Sequence, residues 1–394
     1  TFGAVAGGDM GEVGHAIRRT AADGWHEAAG ATFVDAGLWR RPQFYPANGE
    51  TLAAAYRAEA QAVRRHVGVV DVSTLGKIDV AGPDAATLLD RLYCNGMSSL
   101  KPGRGRYGLM LREDGRVFDD GVVFRTAPDR FVLTCTTGGA SAVYQHVEHA
   151  LQVLWPDLDA FATPVTEEWF AAAVAGPRAR ALLADLAPGL DVSNGALPMM
   201  ALSETEILGR TARVMRMSYS GELSYEVHIS ADWGQALWER MAALARIHGG
   251  VVYGTEAMAA LRIEKGHVTH AEADGRTTPD DLGLGRMVRY DKDAIGVRAL
   301  ALPALQAAGR KQLVGLVMED RFARPPVGAQ VTAEDLGDTP AAGQTLNNLG
   351  LLEFKAGDWE DAREHWERAL RLQEGIGHKW EVARIRLSLG NYYR

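Results

Sequence analysis

The sequence predicts an α+β protein built from two similar halves and followed by an all-α tail. Three observations carry this. The order Gly-Pro, helix, strands occurs twice, first from Gly82-Pro83-Asp84 and again from Gly176-Pro177. Short strand-like runs are joined by turn residues, among them Glu113-Asp114-Gly115, an Asp-Gly hairpin signal between 107–111 and 116–125. Beyond residue 344 the pattern is purely helical.

Residues 1–46 are rich in Gly and Ala and read as an extended lead-in strap with a short helix around 15–29, closing on Trp39-Arg40-Arg41-Pro42 and Tyr45-Pro46. Gly8, Gly11 and Gly14 loosely imitate a dinucleotide loop, but almost nothing precedes them to form the strand such a loop needs. In the main domain, 47–310, a helix over 51–67 leads to strand-like runs at 69–73 and 77–80. The helix that starts at Gly82 carries Leu88, Leu89 and Leu92 on one face. A strand is expected at 131–135, a helix at 140–151 and a strand at 171–174. From 311 to 343 the pattern becomes strand-like, at 313–318 and 329–332, and 338–343 reads as a turn or seam.

The tail, 344–394, has a small/large order that resembles a tetratricopeptide repeat. Leu349-Gly350, Phe354, Gly357-Asp358-Trp359, Ala362, Trp366 and Ala369-Leu370 carry it, and Leu389-Gly390 with Tyr393 restarts it. One and a half repeats do not bury a continuous core, so the tail reads as the remnant of an array or a fusion, able to dock on protein.

Composition narrows the function classes. The chain has 394 residues, 47% of them hydrophobic, which is ample for a core. Its net charge of −8 argues against a general nucleic-acid surface. Cys94 and Cys135 lie too far apart in sequence to suggest a disulfide framework, so a reducing cytoplasm is expected. No apolar run is long enough to span a bilayer. The start, Thr1-Phe2-Gly3, shows no signal peptide and no initiator Met, as in a chain that begins inside a longer polypeptide.

Eight motifs follow one another along the chain, beginning with Asp71-Val-Ser-Thr-Leu-Gly-Lys77, Arg106-Tyr-Gly-Leu-Met-Leu111, Asp114-Gly-Arg-Val-Phe-Asp-Asp120 and Thr136-Thr-Gly-Gly139. They continue with Ser218-Tyr-Ser-Gly-Glu-Leu-Ser-Tyr-Glu226, Tyr253-Gly-Thr-Glu256, Leu261-Arg-Ile-Glu-Lys-Gly266 and Asp281-Leu-Gly-Leu-Gly285. On these motifs residues 2–343 resemble the C-terminal folate-binding part of sarcosine oxidase alpha subunits, which is similar to the aminomethyltransferase (T-protein) of glycine cleavage. The Trp39–Pro42 lead-in looks more like the oxidase subunit than a free-standing T-protein. The resemblance implies a fold of two α+β halves around a central channel, with a partial C-terminal β-barrel at 311–343. It also implies tetrahydrofolate as cofactor, with FAD, FMN and NAD held only on absent domains or partner subunits.

Asp119 and Asp120 follow one another in a strand-like run, so their side chains point to opposite faces. By the resemblance Asp120 is the catalytic carboxylate; otherwise the pair is a hairpin feature. Glu226 matches the pterin-binding Glu, a role suited to a bidentate charge-assisted contact, against the alternative of an exposed strand residue. Tyr219 and Tyr107 match residues lining the pterin, although Tyr in strands is often simple packing. Thr136 stands where T-proteins carry Asn. Arg262 either binds the anionic folate tail or pairs internally with Glu264 or Glu256. His267 and His270, near Glu272 and Asp274, lack zinc-type spacing and read as loop residues, so no metal is expected.

The function implied is transfer of an imine or formaldehyde carbon to tetrahydrofolate, giving 5,10-methylenetetrahydrofolate, with a small one-carbon donor and other oxidase-type subunits as partners. Glycine-cleavage aminomethyl transfer, folate binding without catalysis and repeat-mediated interaction are the alternatives.

Overall fold

A computed structural model describes residues 16–47, 49–307, 309–315 and 359–375, with helical positions at 382–383, 385–386 and 389. The chain divides into two units, Thr1–Gly315 and Leu316–Arg394.

The first unit opens with α1 (Asp23–Ala28) and a hairpin of β1 (Thr32–Ala36) and β2 (Trp39–Phe44). The helix is shorter than the expected 15–29. Arg18 is held extended instead, its amide donating to the Leu38 carbonyl and its carbonyl accepting from Arg40 N–H. Next come α2 (Leu52–Arg65), capped by the Thr51 hydroxyl, then β3 (Gly68–Asp71) and β4 (Gly76–Ala81). They are followed by α3 (Ala85–Leu92), β5 (Arg104–Leu111), β6 (Val117–Ala127), β7 (Arg130–Cys135), α4 (Ala140–His149) and β8 (Phe161–Pro164). The chain continues through β9 (Trp169–Ala175), α5 (Ala179–Leu186), β10 (Leu202–Ile207), β11 (Arg210–Met215) and β12 (Ser224–Ser230). It ends in α6 (Gly234–Ile247), β13 (Val251–Val252) and α7 (Thr255–Lys265).

Two open sheets result, one ordered β5-β6-β7-β4-β8 and the other β10-β11-β12-β9-β3-β13. Neither closes into a barrel. The stretch β4, Gly82-Pro83, α3, β5-β6-β7 has its counterpart in β9, Gly176-Pro177, α5, β10-β11-β12, and each third strand returns to pair with the first. Gly82 and Gly176 adopt φ of 127° and 128°. A Cβ at either would press on backbone, 2.4 Å from the Asp159 oxygen or 2.5 Å from the Val63 oxygen. The sheets differ at one edge: β9 takes β3, from upstream of the first stretch, where β4 takes β8.

Alternation along the strands sets the layers. Val69, Ala172, Val174 and Val227 face a core that includes Leu182, Leu183 and Trp238 of α5 and α6. The opposite face, with Val70, Ala171 and Ala173, packs on Val63 of α2 and Leu261 of α7. Beside the other sheet, Leu88, Leu89 and Leu92 of α3 are fully buried against Ile78, Leu133 and Val143, each contributing about 2 kcal/mol of apolar burial. Among the described residues no helix is long and apolar enough to cross a membrane.

Residues 311–315 form no strand, and Leu313 N–H donates to the Asp281 carbonyl at 2.7 Å. The rest of the expected small β domain, the seam at 338–343 and the first repeat helix lie outside the described residues. In the second unit α8 (Trp359–Gly375) buries Ala362, Trp366 and Ala369 against Ile385. The small residues flank the large one at helical spacing, as the repeat order requires.

Candidate active site

The β5–β6 hairpin aims the two adjacent aspartates. Gly115 takes the left-handed turn, φ 81°, that the Asp-Gly signal requires. The register places Met110 opposite Asp119 and Leu109 opposite Asp120, but Leu111 opposite Val117, so Phe118 is an extra residue in a bulge. Bulges re-aim the side chains beside them. Opposite residues share a face, so Asp120 lies with Leu109 and, two residues along, with Tyr107. The Tyr107 hydroxyl donates to Asp120 Oδ2 at 2.8 Å. Burial pushes the Asp120 carboxyl up to about 6, with Asp119 raising it further and Tyr107, His270 and His267 holding it down.

Asp119 points the other way and is buried. Its Oδ2 accepts the Thr136 amide at 3.4 Å, and its Oδ1 has no hydrogen bond but lies 3.7 Å from His270 Nε2. Burial raises this carboxyl as well. The Thr136 hydroxyl sits 2.6 Å from His270 Nε2 and accepts from Gly139 N–H at 3.2 Å, so it is engaged within the protein.

Glu226 sits on β12 between Met215 of β11 and Ala173 of β9. Its Oε2 is 3.2 Å from His228 Nε2, and its side chain is 13% exposed. The Glu226 charge acts on Lys77, a buried residue of β4 whose ammonium donates to the carbonyls of Ser73 and Leu75 at 2.8 and 2.9 Å. Burial brings Lys77 down to about 8, against the pull of Glu226 and Asp71. Cys135 is paired in register with Gly76, next to Lys77, and burial pushes its thiol up, with the Asp119 charge adding to the effect.

Tyr219 is exposed and stacks on His267, centroids 5.7 Å apart and planes 9° from parallel. Its hydroxyl shares electrostatic surroundings with Arg262, Asp120, Glu272 and Arg41. Arg262 donates through Nη1 to the His267 carbonyl at 3.0 Å and to Glu272 at 2.9 Å. Neither expected internal partner is used: Glu264 pairs with Arg64, and Glu256 accepts from Gln43. Among the described residues no three of His, Cys, Asp or Glu converge on a metal-sized gap. A separate cavity of about 310 Å³, bordered by Arg18, Trp39, Ser73 and Trp169, includes none of these predicted site residues in its lining.

Sequence reasoning did not place His267 or His270 here. The signal for the histidines was Lys265-Gly266. Gly266 ends α7 at φ 85°, and the reversal carries His267 onto Tyr219.

Residues 22–292 match the family model described as the GCVT N-terminal domain. The chain belongs to this family. The α subunit of sarcosine oxidase from Corynebacterium sp. (strain U-96) is 44% identical over 349 residues, 87% of this chain and 36% of that protein. The corresponding subunit from Rhizobium meliloti is 41% identical, with 81% of this chain and 33% of that one covered. The chain thus spans about a third of the length of these relatives. The aminomethyltransferase of Streptomyces coelicolor is 33% identical over 80% of this chain and 82% of its own. Among solved structures, the glycine cleavage system aminomethyltransferase T from Bartonella henselae superposes with a TM-score of 0.64 at 27% identity, covering 74% of this chain and 75% of that one. GCVT membership therefore rests on most of the first unit, and the α+β fold is similar to that of an aminomethyltransferase. Residues 342–394 match a tetratricopeptide repeat model.

Proposed function

We propose that the domain at 47–310 binds tetrahydrofolate in a channel between its two α+β halves and directs a one-carbon unit onto it. The observation that carries this reading is the Tyr107–Asp120 contact at a strand bulge, a carboxylate held in place and tuned near neutrality in a chain of the GCVT family. The donor set fits a reduced folate. Glu226 commits only Oε2, to His228, which leaves carboxylate capacity for the N–H edge of a pterin. Tyr107 and Tyr219 offer aromatic faces. Arg262 has an unpaired Nε beside Glu272 for a polar or anionic portion, and Thr136 closes the Asp119 side.

When bound, the reduced folate supplies two nucleophilic nitrogens that accept the carbon. Asp120, ionised above about pH 6, would sit beside them, orient the ring, accept a proton as the carbon is transferred and stabilise positive charge developing on the incoming donor. Tyr107 fixes that carboxylate by donating to it. The donor is an imine or formaldehyde equivalent from a demethylated amine, and the product is 5,10-methylenetetrahydrofolate. Oxidation of the amine belongs to FAD, FMN and NAD sites on other domains or sarcosine oxidase-type subunits, in the cytoplasm. The tetratricopeptide-like tail serves as a protein-docking element.

Methylene transfer to tetrahydrofolate is the test. Asp120→Ala should lower the rate at least 100-fold while folate still binds; equal rates would remove Asp120 from the mechanism. Glycine-cleavage aminomethyl transfer is the second reading, favoured by similarity that spans 82% of an aminomethyltransferase. It calls for activity with a lipoyl carrier protein plus ammonia.

A further inference from the structure

Two arginines without an acid stand side by side away from the predicted folate residues. Arg180 of α5 and Arg216, one residue past β11, both donate to the side-chain oxygen of Asn194, at 2.6 and 2.8 Å. Among the described residues no acidic side chain pairs with either of them. Two like charges with only a neutral amide between them repel, and an anion in the amide's place would relieve that repulsion.

The same place holds donors that nothing meets. Arg180 Nη1, Arg216 Nε and the hydroxyl of the fully buried Tyr225 are each sealed from solvent without a hydrogen-bond partner. The register explains why they gather. Met215 stands opposite Glu226, and one step further sets Arg216 opposite Tyr225, on the same face. Arg216 is anchored there, its Nη1 donating to the Leu197 carbonyl and its backbone N–H to the Ala201 carbonyl, both at 2.9 Å. Buried donors left unmet carry a desolvation cost that an acceptor would offset. Access runs past Asn194, since residues 193–196 are exposed and both guanidinium contacts to Asn194 lie at the surface. Tyr225 and Glu226 are neighbours in β12 and face opposite sides of the sheet, so this cluster is separate from the predicted pterin carboxylate.

We propose that Arg180 and Arg216 form a binding site for a phosphate group, free or at the end of a small phosphorylated molecule, and that the Asn194 oxygen holds the place of one phosphate oxygen. Charge and shape select this class. Two arginines without an acid offer two positive charges, which a phosphate dianion matches and a single carboxylate does not. Two planar forks and a phenol supply more donors than one amide oxygen can use, and a phosphate has three free oxygens to accept them. Asn194 belongs to an exposed loop, so its side chain swings aside without disturbing the core. Binding is non-covalent and independent of the folate reading.

The experiment is calorimetric titration of the full chain with inorganic phosphate and with glycerol 3-phosphate, at about pH 8, where both are dianions, and at constant ionic strength set by chloride. Wild type should bind at least one of them with a dissociation constant below about 1 mM. Tighter binding of the ester assigns the site to a phosphorylated molecule, and tighter binding of the free ion assigns it to phosphate itself. Arg180→Gln and Arg216→Gln should each weaken binding at least 10-fold, the loss of a charge-assisted contact. Arg180→Lys keeps the charge without the fork and should retain part of the affinity. Asn194→Ala removes the competing oxygen and should tighten binding by about threefold. Binding that neither Gln variant alters marks an adventitious ion only and overturns the proposal. So does a wild type that binds neither ligand, or a loss of binding in Asn194→Ala. If Arg216→Gln does not fold, as judged by circular dichroism, Arg180→Gln and Asn194→Ala decide the matter.

Discussion

The Tyr107 hydroxyl donates to Asp120 Oδ2 at 2.8 Å, from the neighbouring strand and on the same face of the sheet. Burial alone would carry the carboxyl further into its protonated form, and this donor opposes it more than His270 and His267 do. The position of Asp120, and the largest part of what opposes its burial, thus depend on one phenol.

That dependence gives a pH prediction. A reaction that needs ionised Asp120 loses rate as pH falls through about 6. Tyr107→Phe removes a contact that lowers the Asp120 pKa, so the acidic limb moves to higher pH, by about one unit. Rate profiles between pH 5 and 8 for both proteins check it, and coincident limbs would contradict it.

Glu226→Gln keeps the shape of the side chain but removes its charge. If this carboxylate grips the N–H edge of a pterin, affinity for tetrahydrofolate falls by about 10- to 100-fold, the equivalent of a charge-assisted hydrogen bond. Equilibrium titration reads the change directly. An unaltered dissociation constant would leave Glu226 as a strand residue paired with His228.

Lys77 makes stability depend on pH. Burial lowers its folded pKa from 10.5 to about 8, so between those values the unfolded chain holds more of this proton than the folded one. Stability from this group therefore rises as pH climbs from about 8 towards 10.5, by roughly 3 kcal/mol in full. Chemical denaturation over that range should show the rise in wild type and a flatter profile in Lys77→Met.

Gly176 is expected to resist substitution. At φ 128° an added Cβ would meet the Val63 and His66 oxygens at 2.5 and 2.7 Å, and both are backbone atoms that cannot swing aside. Gly176→Ala should cost about 3 kcal/mol, whereas Gly189→Ala, with open space around it, should stay within about 0.5 kcal/mol. Thermal melts of the two variants make the comparison.

Local signals were legible in the sequence and long-range ones were not. The Asp-Gly turn at 114–115, the Leu88-Leu89-Leu92 face and the paired Gly-Pro entries each depend on residues a few positions apart, and each appears in the fold. Alternation also separated Asp119 from Asp120 correctly, although nothing in it revealed the Phe118 bulge between Val117 and Asp119. Partners distant in sequence were invisible. β3 joins β9 across about a hundred residues, and the Thr136–His270 contact spans 134. Periodicity tells which face a residue occupies, not what it will meet there. For the same reason Arg262 was offered Glu264 or Glu256, both on its own helix, and instead took Glu272 beyond the helix end. Arg41 read as part of a lead-in strap because its burial depends on the packing of β2 against α7, which no local pattern records.

The central claim is that one bound folate touches both Glu226 and Asp120. A crystal structure of the full chain with 5-formyltetrahydrofolate tests it most directly. The account predicts the pterin N–H edge on the Glu226 carboxylate and the side bearing the carbon-accepting nitrogens beside Asp120. A pterin seated on only one of these carboxylates, or on neither, would contradict it.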